Sequence, residues 1–179
     1  MLVQFGGGRI ELSQGDITRQ QVDAIVNAAN SQLMSGGGVD GAIHRAAGSL
    51  LKEQTSERYP DGCPTGDAVV TDAGNLEARY VFHAVGPVWK GGTRNEAKLL
   101  AAVHRRCLEL AVEHGCSSIA FPAISTGAYR YPVDQAAGVS LRATAEFLIQ
   151  HGKPLLVRFV LFDGGMYGAF ARVLESMAD

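Results

Sequence analysis

Asn30 and Asp40 lie ten residues apart and flank three consecutive glycines, Gly36, Gly37 and Gly38, in the run NAANSQLMSGGGVDGAIHRAAG. They place a carboxamide and a carboxylate on either side of a glycine loop, so binding and chemistry could share one segment. Consecutive glycines let a backbone pass close to a ligand with its amides outward. An amide-rich loop that opens a helix suits a phosphate or diphosphate. The spacing fits neither GxGxxG nor a P-loop, because no Lys-Ser/Thr pair follows the glycines. His44 stands four residues after Asp40, on the same face of a helix. Plainer readings stand beside these: Asp40 as a first-turn acid favoured by the helix dipole, and His44 as a structural histidine.

Three further groups of residues could share that chemistry. Gly15-Asp16-Ile17-Thr18 follows a strand candidate. Asp16 can cap the next turn through backbone amides, or accept a hydrogen bond from an exocyclic amine such as adenine's. In FPAISTGAYRYP, Ser125, Thr126, Gly127 and Ala128 form a small-residue loop after a strand, a second cradle for phosphate. The spacing is not that of a GxSxG nucleophile elbow. Tyr129 at the end of that loop could cover a sugar or a base, or pack at the loop edge. Phe162 and Tyr167 follow the last apolar strand, where an aromatic ring could stack on a base or serve packing alone.

These residues need a scaffold, and the pattern of apolar runs predicts one. Short strands are expected at Leu2–Phe5 and Arg9–Leu12, joined through a Gly6–Gly8 turn as a hairpin. Further strands are expected at Ala24–Val26, Ala68–Thr71, Tyr80–Val85, Ser118–Phe121 and Leu155–Phe162. Helical spacing covers Val39–Gln54, Glu96–His114, Val133–His151 and Tyr167–Met177. Strands alternating with helices predict a three-layer α/β domain with a mostly parallel sheet, made mixed by the opening hairpin. The polar glycine-rich loops follow strands, so they should converge on one rim beyond the strand ends.

Composition narrows the function. A net charge of -2 and 19% charged residues argue against a broad nucleic-acid footprint. Cys63, Cys107 and Cys116 are irregularly spaced, with no CxxC and no zinc pattern, so reduced thiols in a cytoplasmic protein are the expectation. No run approaches the ~20 apolar residues of a membrane span, and the start of the chain lacks the pattern of a signal peptide. Nothing resembles a dimer seam, which makes a monomer the expectation.

In order along the chain, GDIT, VDAIVNAANSQLMSGGGVDGAIHRAAG, CPTGDAVVT, YVFHAVGP and IAFPAISTGAYRYP resemble the macrodomain family, and within it the MacroD-type class. The matches run from Gly15 to Pro132, and the apolar strand at Leu155–Phe162 fits the family's end. The resemblance implies one α/β/α macrodomain over residues 1–179, with a mixed, mostly parallel sheet of six to seven strands. It implies a cleft for ADP-ribose. Asp16 would take the adenine amine with Ile17 beside it, and Asn30 would hold the distal ribose. Gly36, Gly37, Gly38 and Val39 would enclose the diphosphate from one side. Ser125, Thr126, Gly127, Ala128 and Tyr129 would enclose it from the other, with Tyr129 also covering the distal ribose. Phe162 and Tyr167 are the aromatic candidates for the adenine.

The resemblance makes Asn30, Asp40 and His44 the catalytic group. The implied activities are removal of single ADP-ribose units from acidic side chains of proteins and deacetylation of O-acetyl-ADP-ribose, with no cofactor and no metal. Departures from related branches sharpen this. Val39-Asp40-Gly41 stands where polymer-degrading relatives carry two glutamates. Ser31–Gly38 holds no Cys/His zinc ligands, and no lysine lies between Asn30 and Asp40. A non-catalytic ADP-ribose reader and an ADP-ribose 1″-phosphate phosphatase are the alternatives that share the cleft. The implied partners are ADP-ribosylated proteins, with nucleic acid entering only through ADP-ribosylated ends.

Overall fold

A computed structural model describes residues 1–178 of the chain. Seven strands form one sheet: β1 (Leu2–Phe5), β2 (Gly8–Gln14), β3 (Ala24–Ala29), β4 (Ala68–Asp72), β5 (Tyr80–Val85), β6 (Ser118–Phe121) and β7 (Leu156–Leu161). The spatial order is β1-β2-β7-β6-β3-β5-β4. The hairpin partner β1 runs antiparallel to β2, and β4 runs antiparallel to β5. Every pairing between them is parallel. The sheet is therefore the expected mixed one, with an antiparallel strand at each edge.

Five helices cover the two faces: α1 (Gly38–Ala47), α2 (Leu50–Arg58), α3 (Glu96–Glu113), α4 (Val133–His151) and α5 (Gly164–Ala178). Alternation within the buried strands divides the core. Ile25 and Val81 point to one face and pack with Ile43 of α1 and Leu51 of α2. Val26 and Phe82 point to the other, against Leu100, Val103 and Leu108 of α3. On that second face Phe159 lies between Phe121 and Phe170, with ring centroids 5.3 and 5.6 Å away.

The single helix expected over Val39–Gln54 is two. Gly48 adopts φ +88° and its amide bonds back to His44 O, which ends α1. The last carbonyl of α1, Ala47 O, accepts from Asn75 N of the β4–β5 turn. A distant turn thus closes a helix end that the apolar periodicity runs through. The strand β3 extends three residues beyond the expected Val26, and carries Asn27 into the core with it. A short 3-10 turn at Ile17–Arg19 joins β2 to β3.

Candidate functional site

The loops after β2, β3, β6 and β7 meet at the carboxyl ends of the parallel strands. They enclose a cleft of about 870 Å³. Such a volume suits a ligand of nucleotide size rather than a single small acid.

Asp16 stands at one end. Its Oδ1 accepts from Thr18 N at 2.9 Å and from Thr18 Oγ1 at 2.7 Å, the N-cap geometry of the 3-10 turn. Its Oδ2 is left with exposed Arg19 at 3.8 Å. Capping therefore occupies one oxygen and leaves the other free of the turn's hydrogen bonds. The Thr18 hydrogen bonds, and to a smaller degree Arg19, hold the carboxyl below its ordinary range. Ile17 lies beside it on the cleft wall, and Phe162 projects at the rim with 79% of its surface exposed.

The glycine loop forms the facing wall and opens α1. Gly37 takes the N-cap position without a side-chain cap, so the first-turn amides face the cleft. Gly41 lets the loop approach the helix closely: a Cβ built there would lie 2.5 Å from Gly36 O. The Ser125–Tyr129 loop closes the opposite side. Thr126 Oγ1 donates to Ala123 O at 2.8 Å, and Trp89 N donates to Tyr129 O at 2.8 Å, which anchors the loop at both ends. Ser125 Oγ is buried at the cleft wall and has no hydrogen-bond partner within the protein. An orphaned buried hydroxyl costs about 1–3 kcal/mol, a cost that a bound acceptor or donor removes.

Asp40, in the first turn of α1, is held by three donors. Oδ1 accepts from Asn27 Nδ2 at 2.7 Å and faces His44 Nε2 at 3.4 Å; Oδ2 accepts from Gly36 N at 2.5 Å. Burial pushes the Asp40 pKa up, but the His44, Asn27 and Gly36 hydrogen bonds outweigh it and the net shift is downward. Asp40 is thus an ionised carboxylate with a fixed rotamer. Asn30 spends part of its carboxamide locally: Nδ2 donates to Met34 O at 2.7 Å, and Oδ1 accepts from Met34 N at 3.1 Å. It pins the segment leading to the glycines and keeps one amide hydrogen for a ligand.

The structure brings together Asp16, Ile17, Asn30, Gly36–Val39, Asp40, Ser125–Tyr129 and Phe162 around one cleft. It does not bring His44 or Tyr167 to the cleft wall. His44 sits behind Asp40 as a supporting group. Tyr167 packs against the core, with its hydroxyl 3.3 Å from the terminal amine of Met1. Because α5 begins at Gly164, Met166 faces the cleft and Tyr167, one helical step on, turns away.

Sequence reading missed three residues. Exposed Arg45 lines the cleft mouth one position past His44. Asn27 and His83, both fully buried, lie directly behind Asp40. A polar residue inside an otherwise apolar strand was the available signal for both.

The model for the family described as Macro domain matches residues 26–140. The chain belongs to the macro domain family. Among its relatives, a macro domain-containing protein of Caldanaerobacter subterraneus is 51% identical over 172 residues, covering 94% of this chain and 97% of the relative. An O-acetyl-ADP-ribose deacetylase of Salmonella typhimurium is 50% identical, covering 96% of this chain and 97% of that one. The Oceanobacillus iheyensis macrodomain solved with ADP superposes with a TM-score of 0.93 at 38% identity, covering 99% of this macro domain and 95% of that chain. The Trypanosoma brucei macrodomain in complex with ADP-ribose gives 0.86 at 41% identity, covering 92% of this macro domain and 68% of that chain.

Proposed function

We propose that this macro domain binds ADP-ribose and hydrolyses esters on its distal ribose. The substrates would be O-acetyl-ADP-ribose and proteins carrying single ADP-ribose units on acidic side chains. The observation that carries this reading is the placement of ionised Asp40 and Asn30 at the end of a two-loop cleft whose other end holds Asp16 and Phe162. The fold shared with a macrodomain solved in complex with ADP-ribose, and the O-acetyl-ADP-ribose deacetylases among its homologues, support it.

In this reading the adenine amine meets Asp16 Oδ2, with Phe162 against the ring. The α1 amides and the Ser125–Tyr129 loop hold the diphosphate, and Ser125 Oγ finds its missing partner there. Asn30 and Tyr129 fix the distal ribose. Water adds to the ester carbonyl, the bond from that carbonyl to the ribose oxygen breaks, and the free acid leaves with ADP-ribose as the other product. Positioning supplies most of the acceleration. Asp40 orients the attacking water or takes its proton. A diphosphate oxygen is the alternative proton acceptor, and would leave Asp40 with the orienting role alone. No step calls on a metal or cofactor. Burial pushes the Cys63 thiol up to about 11 and keeps Cys107 protonated as well, so thiolate chemistry is no part of the reading. The same reading takes the protein as a cytoplasmic monomer.

An activity panel tests it: glutamate/aspartate-, serine- and arginine-linked ADP-ribose plus O-acetyl-ADP-ribose, with Asp40→Asn alongside. Expected are turnover of the two ester substrates and a drop of about 10²–10⁴ in kcat for Asp40→Asn, with ADP-ribose affinity changed far less. Full activity in Asp40→Asn removes Asp40 from the mechanism. Tight ADP-ribose binding by the wild-type protein without turnover of any substrate makes the domain a reader.

A further inference from the structure

Behind the cleft, a file of polar side chains crosses the sheet on the face covered by α1. Asn27 of β3 is paired in register with His83 of β5. On β4, Thr71 is paired with Val81, two residues from His83 and so on the same face. All three are buried to within 1% of complete. Polar groups this deep weaken the core unless they are wired, and here every polar side-chain atom of the three but Asn27 Oδ1 has a partner.

The wiring has one consistent direction. Thr71 Oγ1 donates its only hydrogen to Asp72 O at 2.9 Å. It must therefore accept from His83 Nε2, also at 2.9 Å. That makes His83 the Nε2–H tautomer, with Nδ1 an acceptor. Nδ1 lies 3.2 Å from Asn27 Nδ2, which has two hydrogens and uses the other on Asp40 Oδ1 at 2.7 Å. Turning the Asn27 carboxamide over would set its oxygen against the Asp40 carboxylate. The groups facing the His83 ring are Asn27 from β3, Thr71 from β4, and Asp40 and His44 from α1, the His44 ring centroid being 6.2 Å away.

We infer that Asn27 and His83 are positioning residues for Asp40: neutral His83, locked by Thr71, aims both Asn27 hydrogens and so fixes the carboxylate that faces the substrate. This rests on the hydrolase reading for its effect on turnover. The wiring itself does not. Neither residue touches the cleft, so substrate affinity is not what they set. Burial, reinforced by His44, pushes the His83 pKa down to about 4, which keeps the file in its donating state at neutral pH.

The test has two arms. In the first, ¹⁵N NMR of the wild-type protein with labelled histidine at pH 7 should show His83 protonated at Nε2 and bare at Nδ1. A proton on Nδ1, in either the other tautomer or the imidazolium, overturns the inference. In the second, His83→Phe, His83→Asn and Asn27→Leu are assayed on O-acetyl-ADP-ribose, with ADP-ribose titrated by calorimetry. His83→Phe and Asn27→Leu should lose about 10- to 100-fold in kcat, with ADP-ribose affinity within about twofold of wild type. His83→Asn keeps an acceptor near the Nδ1 position, and should recover most of that loss although it fills the core less well. If only volume matters, Phe outperforms Asn, and the inference fails. It fails equally if affinity and kcat fall together. Should the variants not fold, the tautomer decides. Absence of turnover in the wild type would remove the hydrolase reading, with the tautomer still judging the wiring.

Discussion

Acidification is predicted to weaken this protein well before its carboxylates titrate, through two histidines. His83 and His104 are buried, and burial pushes both down to about 4. Each has a reason to stay neutral. A proton on His83 Nδ1 would oppose the Asn27 amide. His104 Nδ1 donates to Leu100 O at 2.7 Å, while Nε2 is enclosed without a partner and the ring stacks on Phe121 with centroids 5.0 Å apart. Unfolded, both would titrate near 6.5. Between about pH 4 and 6.5 the unfolded chain therefore binds more protons than the folded one, so stability rises with pH across that window. The contribution is fully present above about 6.5 and is lost as pH falls toward 4. At about 1.4 kcal/mol per tenfold, each histidine forfeits roughly 2 kcal/mol between pH 7.5 and 5, roughly 4 together. That is a large share of a typical 5–15 kcal/mol stability, on the order quoted for single domains. Asp16, Asp23 and Asp40 are shifted downward, so their contributions are lost only below about pH 4 and do not mask the effect. Urea titrations at pH 7.5, 6 and 5 measure it. His104→Leu, an apolar replacement for a ring already packed between Phe121 and Phe159, should remove about half of the pH dependence. A wild-type unfolding free energy that is flat from pH 7.5 to 5 would refute the reasoning.

Three substitutions probe the cleft. Gly41→Ala should cost about 1–3 kcal/mol, because its methyl would press on Gly36 O and displace the loop amide from Asp40; thermal unfolding and kcat should fall together. Phe162→Ala removes an exposed ring, so the melting temperature should hold while ADP-ribose affinity falls about tenfold by calorimetry; an unchanged affinity would take Phe162 out of the adenine site. Ser125→Ala leaves the empty protein as stable as before or more so, because the hydroxyl has no partner there, yet weakens ADP-ribose binding several-fold. Equal affinities for Ser125→Ala and wild type would mean that the hydroxyl does not meet the ligand.

Local order in the chain was enough for much of this. The glycines, Asn30 and Asp40 could be read together because one loop and one helix start carry them all, and within so short a span sequence spacing is spatial spacing. The four long strand–helix alternations followed from apolar periodicity for the same reason. What spacing could not reach was contact across the sheet. Asn27 and His83 are 56 residues apart, and only the register of β3 against β5 makes them neighbours. The break at Gly48 depends on a turn beyond residue 72, and Tyr167 turns from the cleft because α5 starts at Gly164. The sequence by itself determined most of the elements, the family and the residues that one loop brings together. Tertiary structure alone decided the aim of Asp40 and how strongly its ionised form is favoured. Ionisation and rotamer depend on burial and on donors from β3, the glycine loop and α1 at once, and those meet only when the sheet has closed.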